Sequence, residues 1–522
     1  MNFSVPILLA GLLMCSVGRA QYSGEPVLST QPERALRLGS LGALLDLPYV
    51  LPLVANAAPG GAAPTMQEIA REALEHSLEV EAARERLASF GFVRDAARGA
   101  LLPHADLRLG DGRGKLTSVD PAVSLPRREV TLTLRQPLLD EPARNEWQRQ
   151  RKLVASSDEQ LQNVISTTLL ESSNAFLAAM QASIAVRLGS EYETLLAELL
   201  RYIGERAEAG GASKADLQRV RARVANIRTA QADGSAALKV ALRNLVRLTG
   251  TMPPAVHLGL VSGGFVLPAN AELANALAIR QNHELLAARI EADAVQSERD
   301  GQRARFLPRM DLELSHTRIV NGAGQETLTR DTKAMVFMTV PLLNGGADLA
   351  QVRAAGAHYQ EMDAKAGNVE RKLIQEIESA YANLDAADER FRSVRQELDA
   401  NTAVVAAFRA QMVGANRSLL DVLDAYQRLH QSRLDLTQVL VSEAQNQLRV
   451  AHLTGMLTPL MAPPSLIPSA TPAPASPLAL LLAPVLASVL APSPALRTAP
   501  RRPVRSAPLM LALTSEFTES LP

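Results

Sequence analysis

Apolar and polar residues alternate strictly at four places in the chain. Ala105, Leu107 and Leu109 are interleaved with His104, Asp106 and Arg108, and Val130, Leu132 and Leu134 with Glu129, Thr131, Thr133 and Arg135. Met310, Leu312 and Leu314 alternate with Asp311, Glu313 and Ser315, and Ala334, Val336, Met338 and Val340 with Met335, Phe337 and Thr339. Successive side chains of a strand point to opposite faces, so this period of two predicts β-strands near 104–110, 128–136, 309–317 and 333–340. Polar, Gly-containing segments at 110–126 and 320–332 join them into two hairpins. At about ten residues, each strand has roughly the length that a tilted strand needs to cross a bilayer.

Helical spacing fills the rest of 66–457. Stretches from Met66 to Leu101 and from Ala271 to Phe306 precede the hairpins, and each stops at Leu-Pro, where proline ends a helix. Residues 143–209 contain no proline and place Leu161, Ile165, Leu169 and Phe176 at spacings of four and seven; residues 347–413 behave alike, with Leu373, Ile377, Tyr381 and Leu384. At ~1.5 Å per residue each could extend about 100 Å. Breaks follow at Gly210-Gly211-Ala212-Ser213 and Gly414-Ala415-Asn416-Arg417-Ser418, with Ser213 and Ser418 as predicted N-caps of returning helices. The result is two helical hairpins with heptad-like seams.

These features occur twice in one register. Leu102-Pro103 recurs as Leu307-Pro308, Phe176 as Tyr381, Ser213-x-x-Asp216 as Ser418-x-x-Asp421, and Leu248-Thr249-Gly250 as Leu453-Thr454-Gly455. A constant offset over such a distance predicts a tandem duplication with equivalent halves at 66–250 and 271–455.

Composition narrows the function. The 522 residues carry no net charge and 3% aromatics, and the body of the chain has no basic cluster or aromatic platform, which argues against a nucleic-acid partner. Cys15 is the only cysteine, so one chain can build neither a disulfide nor a cysteine metal site. The eight histidines are scattered without metal spacing, and the Gly cluster at 259–264 has no lysine. No enzyme activity, metal or cofactor is expected. Residues 5–17 are an apolar run of export-signal length, with a cleavage site at Gly18-Arg19-Ala20 and a signal over 1–20. Cys15 weakly resembles a lipidation site, the alternative being an ordinary cysteine of the signal core. A second candidate signal extends to about 57, ending in Ala55-Asn56-Ala57 but interrupted by Asp46, Pro48 and Pro52. The Pro/Ala-rich region 458–522 is predicted to be a disordered tail.

Export, absence of disulfides and alternating strands fit an outer-membrane barrel, and charges on three of the four polar faces fit a wet lumen. The strands have almost no Tyr or Trp, so the usual aromatic girdle is missing. Four strands cannot close a barrel, and an open edge in lipid leaves backbone groups unpaired at several kcal/mol each. In a membrane the chain must therefore oligomerise. The alternative is a non-channel coiled-coil scaffold of the cell envelope.

The order helix, Leu-Pro, strand, loop, strand, Pro-Leu-Leu, long helical hairpin, twice over, resembles the TolC family of outer-membrane efflux channels. Gln136-Pro137-Leu138-Leu139-Asp140 is similar to the family's Gln-Pro-Leu-Phe-Asp, Pro341-Leu342-Leu343-Asn344-Gly345-Gly346 to its second-half counterpart, and Ser418-Leu419-Leu420-Asp421-Val422-Leu423-Asp424-Ala425 to its Asp-Val-Leu-Asp-Ala segment. The resemblance implies a mixed, mainly α fold with a membrane β-barrel: a homotrimer whose chains each supply four strands to a shared twelve-stranded barrel above a long α-helical periplasmic barrel. It further implies outer-membrane lipid around the barrel, a periplasmic adaptor, and an inner-membrane pump of ABC or RND type, for tripartite efflux or type I secretion. Asp421 and Asp424 match the family's acidic ring at the periplasmic entrance, and Arg417 a position that holds the closed end shut. Gly210, Gly211, Ser213, Asp216, Gly414 and Ser418 fall in the tips that touch the adaptor. Spacing alone places Asp421 and Asp424 on one helix face; the alternative is that Asp421 simply favours a first helical turn. The chain departs from the family pattern in one extra residue between Gly414 and Asp421, in Gln411 and Met412 where an aromatic precedes the glycine, and in Arg219 where a second first-half aspartate would stand.

Overall fold

The computed structural model describes residues 45, 50–52, 64–116, 123–252, 255–257, 267–321, 327–412 and 419–461. The signal at 1–20 with Cys15, the tip residues Gly414, Arg417 and Ser418, and positions 462–522 of the tail lie outside them. In chain order the elements are β1 (Val50–Pro52), α1 (Met66–His76), α2 (Leu78–Gly99), β2 (His104–Leu116), β3 (Val123–Leu139), α3 (Glu141–Glu208), α4 (Lys214–Thr249), β4 (Ala255–His257), α5 (Ala271–Gln281), α6 (His283–Ala304), β5 (Arg309–Val320), β6 (Leu328–Thr339), α7 (Ala347–Met412), α8 (Leu419–Leu453) and α9 (Leu457–Met461).

Each predicted opening helix is in fact two helices. The chain breaks at Ser77 and at Asn282, whose ψ of 111° and 118° are extended and cannot carry a helical ladder. Each residue ends one helix and caps the next: the Ser77 Oγ accepts from Val80 N at 3.3 Å, and the Asn282 Oδ1 from Leu285 N at 2.9 Å. The second helices then end in a tight turn (Leu102 N to Gly99 O at 2.9 Å, Leu307 N to Ala304 O at 3.0 Å) just before the prolines.

β1 pairs antiparallel with β4, Val50 opposite His257, and these two short strands are themselves equivalent positions of the repeat. Leu45 is buried in the main core beside Met66, Ile69 and Phe176. Leu45 and Val50–Pro52 thus belong to the folded body, which counts against a signal running to about 57. At the other end, Leu457, Thr458 and Met461 are buried in α9, so the predicted tail begins later than 458.

The two hairpins join into one antiparallel sheet of order β2-β3-β5-β6. The strands run longer than the alternation indicated, at 13, 17, 12 and 12 residues, because pairing continues beyond the alternating stretches into both segments predicted as loops. Leu107 lies opposite Leu132, Thr133 opposite Ser315 and Leu314 opposite Ala334. A register shift between Pro137 and Leu139 ends β3, where proline cannot donate to the ladder. Asp140 follows at the junction of sheet and helix. Its carboxylate accepts from Ala143 N at 3.0 Å, capping α3, and from Arg309 Nη2 at 2.5 Å, tying the start of β5 to the start of α3.

α3 and α7, of 68 and 66 residues, reach about 100 Å each. Leu161, Ile165, Leu169 and Phe176 of α3 pack against Leu436, Leu440 and Leu448 of α8 in the largest core cluster. The equivalent Tyr381 of α7 is also buried, but its hydroxyl donates to Pro268 O at 2.7 Å, which accounts for tyrosine there. The Leu-Thr-Gly motifs are helix ends. Gly250 and Gly455 have φ of +77° and +73°, and the Thr249 and Thr454 hydroxyls donate to carbonyls one turn back at 3.0 and 2.8 Å.

Candidate functional site

The sheet and the coil tips are the two places where the chain could form or control a passage. In the sheet, register assigns every side chain to a face. His104, Asp106, Arg108, Glu129, Thr131, Thr133, Arg135, Glu313, Ser315, Thr317, Asp331 and Lys333 share one face; Ala105, Leu107, Leu109, Val130, Leu132, Leu134, Met310, Leu312, Leu314, Ala334, Val336 and Met338 share the other. Asp331 lies in the added length of β6 and Lys333 at the strand's predicted start, so all four strands, not three, bear charge on the polar face. Arg135 bridges to Glu313 at 3.0 Å, Arg127 to Glu129 at 3.0 Å and Lys333 to Asp331 at 2.8 Å.

Among strand residues of this sheet whose exposure is described, none is buried, and Leu107, Leu109, Val336 and Met338 are more than half exposed. A sheet of a soluble domain would pack its apolar face on a core. The apolar rows also slant. On β3 they centre on Leu132, which lies opposite His316; on β5 they centre on Leu312, four residues further along. Within each hairpin there is no step, since Leu107 faces Leu132 and Leu312 faces Val336. Over the three pairings the step averages about 1.3 residues per strand, which at ~3.3 Å per residue and ~4.8 Å between strands is a tilt of roughly 43°, within the ~35–45° of closed barrels. A flat apolar layer crossing tilted strands produces this diagonal.

At the coil tips the first-half residues form a complete turn. Gly210 has φ +77°, Gly211 N donates to Arg206 O at 2.7 Å and Gly210 N to Ala207 O at 3.2 Å, the paired bonds that close a helix C-terminus. Ser213 caps α4 through Ala215 N at 3.1 Å, and Asp216 in its first turn pairs with Arg219 at 3.1 Å. That pairing explains the arginine where the family pattern has a second aspartate. In the second half, Asp421 and Asp424 are exposed on one face of α8, while Val422, Leu423, Ala425 and Tyr426 are buried on the other. Asp424 is not an isolated charge: Arg428 stands one turn on at 2.9 Å, with both side chains more than half exposed. The two tips share an apolar cluster of Ile203, Leu217 and Val220 with Leu419, Val422 and Leu423.

Two contacts near the tips escape sequence reasoning. The Arg409 Nε of α7 donates to the Tyr426 hydroxyl of α8 at 3.3 Å, and Tyr192 of α3 stacks on His430 of α8 at 4.8 Å. Both border a cavity of about 610 Å³ between α3, α7 and α8. No motif marks them, because each pairs residues from separate helices.

The model of the family described as "Outer membrane efflux protein" matches residues 69–251 and 275–456, one match per half. The alkaline protease secretion protein AprF of Pseudomonas aeruginosa is 24% identical over 402 residues, covering 74% of this chain and 83% of its own. The proteases secretion protein PrtF of Dickeya chrysanthemi is 27% identical over 435 residues, covering 78% and 92%. Among solved structures, CusC, described in connection with transmembrane channel formation, superposes with a TM-score of 0.69 at 14% identity, covering 78% of this chain and 96% of that one.

Proposed function

The chain belongs to the outer membrane efflux protein family, whose members form exit ducts in the outer membrane, and we propose that three copies complete one such duct. The observation that carries this reading is the slanted apolar band on a sheet with both edges open. Among the described residues β2 and β6 each expose an unpaired ladder edge, and in lipid every such group costs several kcal/mol. The strands alternate in direction, so β6 of one copy meets β2 of the next antiparallel, and a rotational ring closes without edges. Three copies of four strands make twelve.

In this reading the polar face lines a wet lumen and the helical hairpins continue the passage through the periplasm. The tips at Gly210, Gly211, Ser213, Asp216, Gly414 and Ser418 meet a periplasmic adaptor, Arg417 braces the closed end, and Asp421 and Asp424 from three copies ring the entrance. An inner-membrane pump supplies the cargo. Similarity to AprF and PrtF, both protease secretion proteins, supports an exported protein as cargo.

Single-channel recording of the purified oligomer in planar bilayers tests the duct. Discrete conductance steps from a heat-dissociable trimer are expected. A folded species that remains monomeric and gives no conductance would overturn the duct in favour of the coiled-coil scaffold.

A further inference from the structure

The outward face of the sheet carries more than the apolar band. On the side away from the helices the band gives way to arginine, directly on the first hairpin and past His316 and Thr332 on the second. On the second hairpin Arg318 of β5 stands directly opposite Arg330 of β6; on the first, Arg128 of β3 stands opposite Asp111 of β2, with Arg113 two residues further on. All four arginines are exposed. Counted along each strand from the band's centre (Leu107, Leu132, Leu312, Val336), Arg113, Arg318 and Arg330 stand six residues on and Arg128 four. Asp111, 3.6 Å from Arg128, is the one carboxylate among them in the described residues.

The two faces treat cations differently at this end. On the lumenal face Arg127 and Lys333 each have a carboxylate on their own strand, at 3.0 and 2.8 Å. On the outward face Arg113, Arg318 and Arg330 have none among the described residues. Like charges directly opposite on neighbouring strands repel, so the Arg318–Arg330 pair is unfavourable as it stands and calls for an anion between the guanidiniums. Guanidinium binds phosphate through two parallel hydrogen bonds, and arginine stems can lie along an apolar surface while the heads reach the polar layer. The near absence of Tyr and Trp leaves this boundary without its usual anchors.

We infer that Arg113, Arg128, Arg318 and Arg330 form a belt that binds the phosphate groups of the anionic glycolipid in the outer leaflet. The belt rests on the outer-membrane duct reading, with the hairpin turns facing outward. It would fix the depth of the barrel by charge rather than by aromatic rings.

The test uses the full-length oligomer in neutral detergent, titrated with diphosphoryl lipid A and followed by native mass spectrometry. Wild-type protein is expected to retain the lipid. The R113Q/R318Q/R330Q variant should bind about a hundredfold more weakly, the effect of three lost cation–phosphate contacts. Arg108→Gln, on the lumenal face of the same sheet, should bind like wild type. Equal affinity in the triple variant, equal loss in Arg108→Gln, or equally tight binding of dephosphorylated lipid A would each overturn the belt. Planar-bilayer conductance, recorded on the same preparations, keeps the two readings apart. Conductance retained by the triple variant shows an intact duct that has lost its lipid site, whereas a wild type that binds lipid and never conducts removes the duct.

Discussion

A Cβ on Gly455 would lie 2.6 Å from the carbonyl oxygen of Gln281, closer than real side chains approach backbone. Gly455 also has a φ of +73°, where any other residue but Asn or Asp is strained. The equivalent Gly250, φ +77°, faces the His76 ring at 3.1 Å, and a flexible side chain can move aside where a carbonyl cannot. Both glycines abut the last residue of a short helix, α5 or α1, so the end of Leu-Thr-Gly is the seat on which that helix rests. Gly455→Ala should therefore destabilise the fold by about 3 kcal/mol or more and Gly250→Ala by about 1–2 kcal/mol. Thermal melts of the helical circular-dichroism signal would rank the two; equal melting temperatures would mean that α5 yields as easily as the His76 ring.

Asp140 joins barrel and coil with two bonds from one buried carboxylate, its side chain 6% exposed. Alanine there removes the α3 cap and leaves the Arg309 guanidinium without that partner, for an expected loss of about 2 kcal/mol. Asparagine keeps a capping oxygen and should lose less. In a double-mutant cycle with Arg309→Ala, a coupling near zero would show that the arginine only covers the cap.

The strands, their faces and the repeat were legible because each is written in local alternation or in a fixed offset. The helix breaks were not: Ser77 and Asn282 sit inside otherwise helical sequence, and their effect depends on capping the next turn and, for Asn282, on a bond from its Nδ2 to Leu453 O at 3.0 Å in a distant helix. β1 was hidden in a stretch resembling a signal, because a three-residue strand gains its identity only from β4. At the tips, spacing placed Asp421 and Asp424 on one face, yet nothing in it marked Arg428 as the partner of Asp424. The slant of the apolar band needed the register between hairpins, which no single hairpin contains.

His452 of α8 and His430 nearer the tip are both held below the usual histidine pKa. Burial is the main cause for each; for His452, Glu376 opposes the shift while His283 and Arg449 reinforce it, and for His430 Arg433 adds to it. His452 Nδ1 lies 2.8 Å from the Ser166 hydroxyl of α3. A histidine whose folded pKa is depressed contributes stability that is complete above its unfolded value of about 6.5 and is lost as pH falls through the folded pKa. Melting temperature should thus drop by a few degrees on acidification below neutral, and His452→Gln should flatten that dependence. A variant with the wild-type acid profile would shift the effect to other groups.

Asp421 and Asp424 share an exposed face of α8, with Arg428 one turn beyond Asp424. Asp424 is paired with it at 2.9 Å, but the pair is exposed, and such pairs contribute at most about 1 kcal/mol. The arginine therefore offsets field at the entrance more than it stabilises the helix. If three copies ring a constriction, Asp421→Ala/Asp424→Ala should lower the preference for cations several-fold in reversal-potential measurements across a salt gradient. Arg428→Ala should raise that preference by leaving Asp424 uncompensated, with little change in melting temperature. This opposite sign is the sharper test, because damage to the coil would reduce selectivity in both variants. Selectivity unchanged in all of them would place the controlling charges elsewhere in the duct, with the lumenal face of the sheet, where Arg108 and Asp106 project, as the next segment to probe.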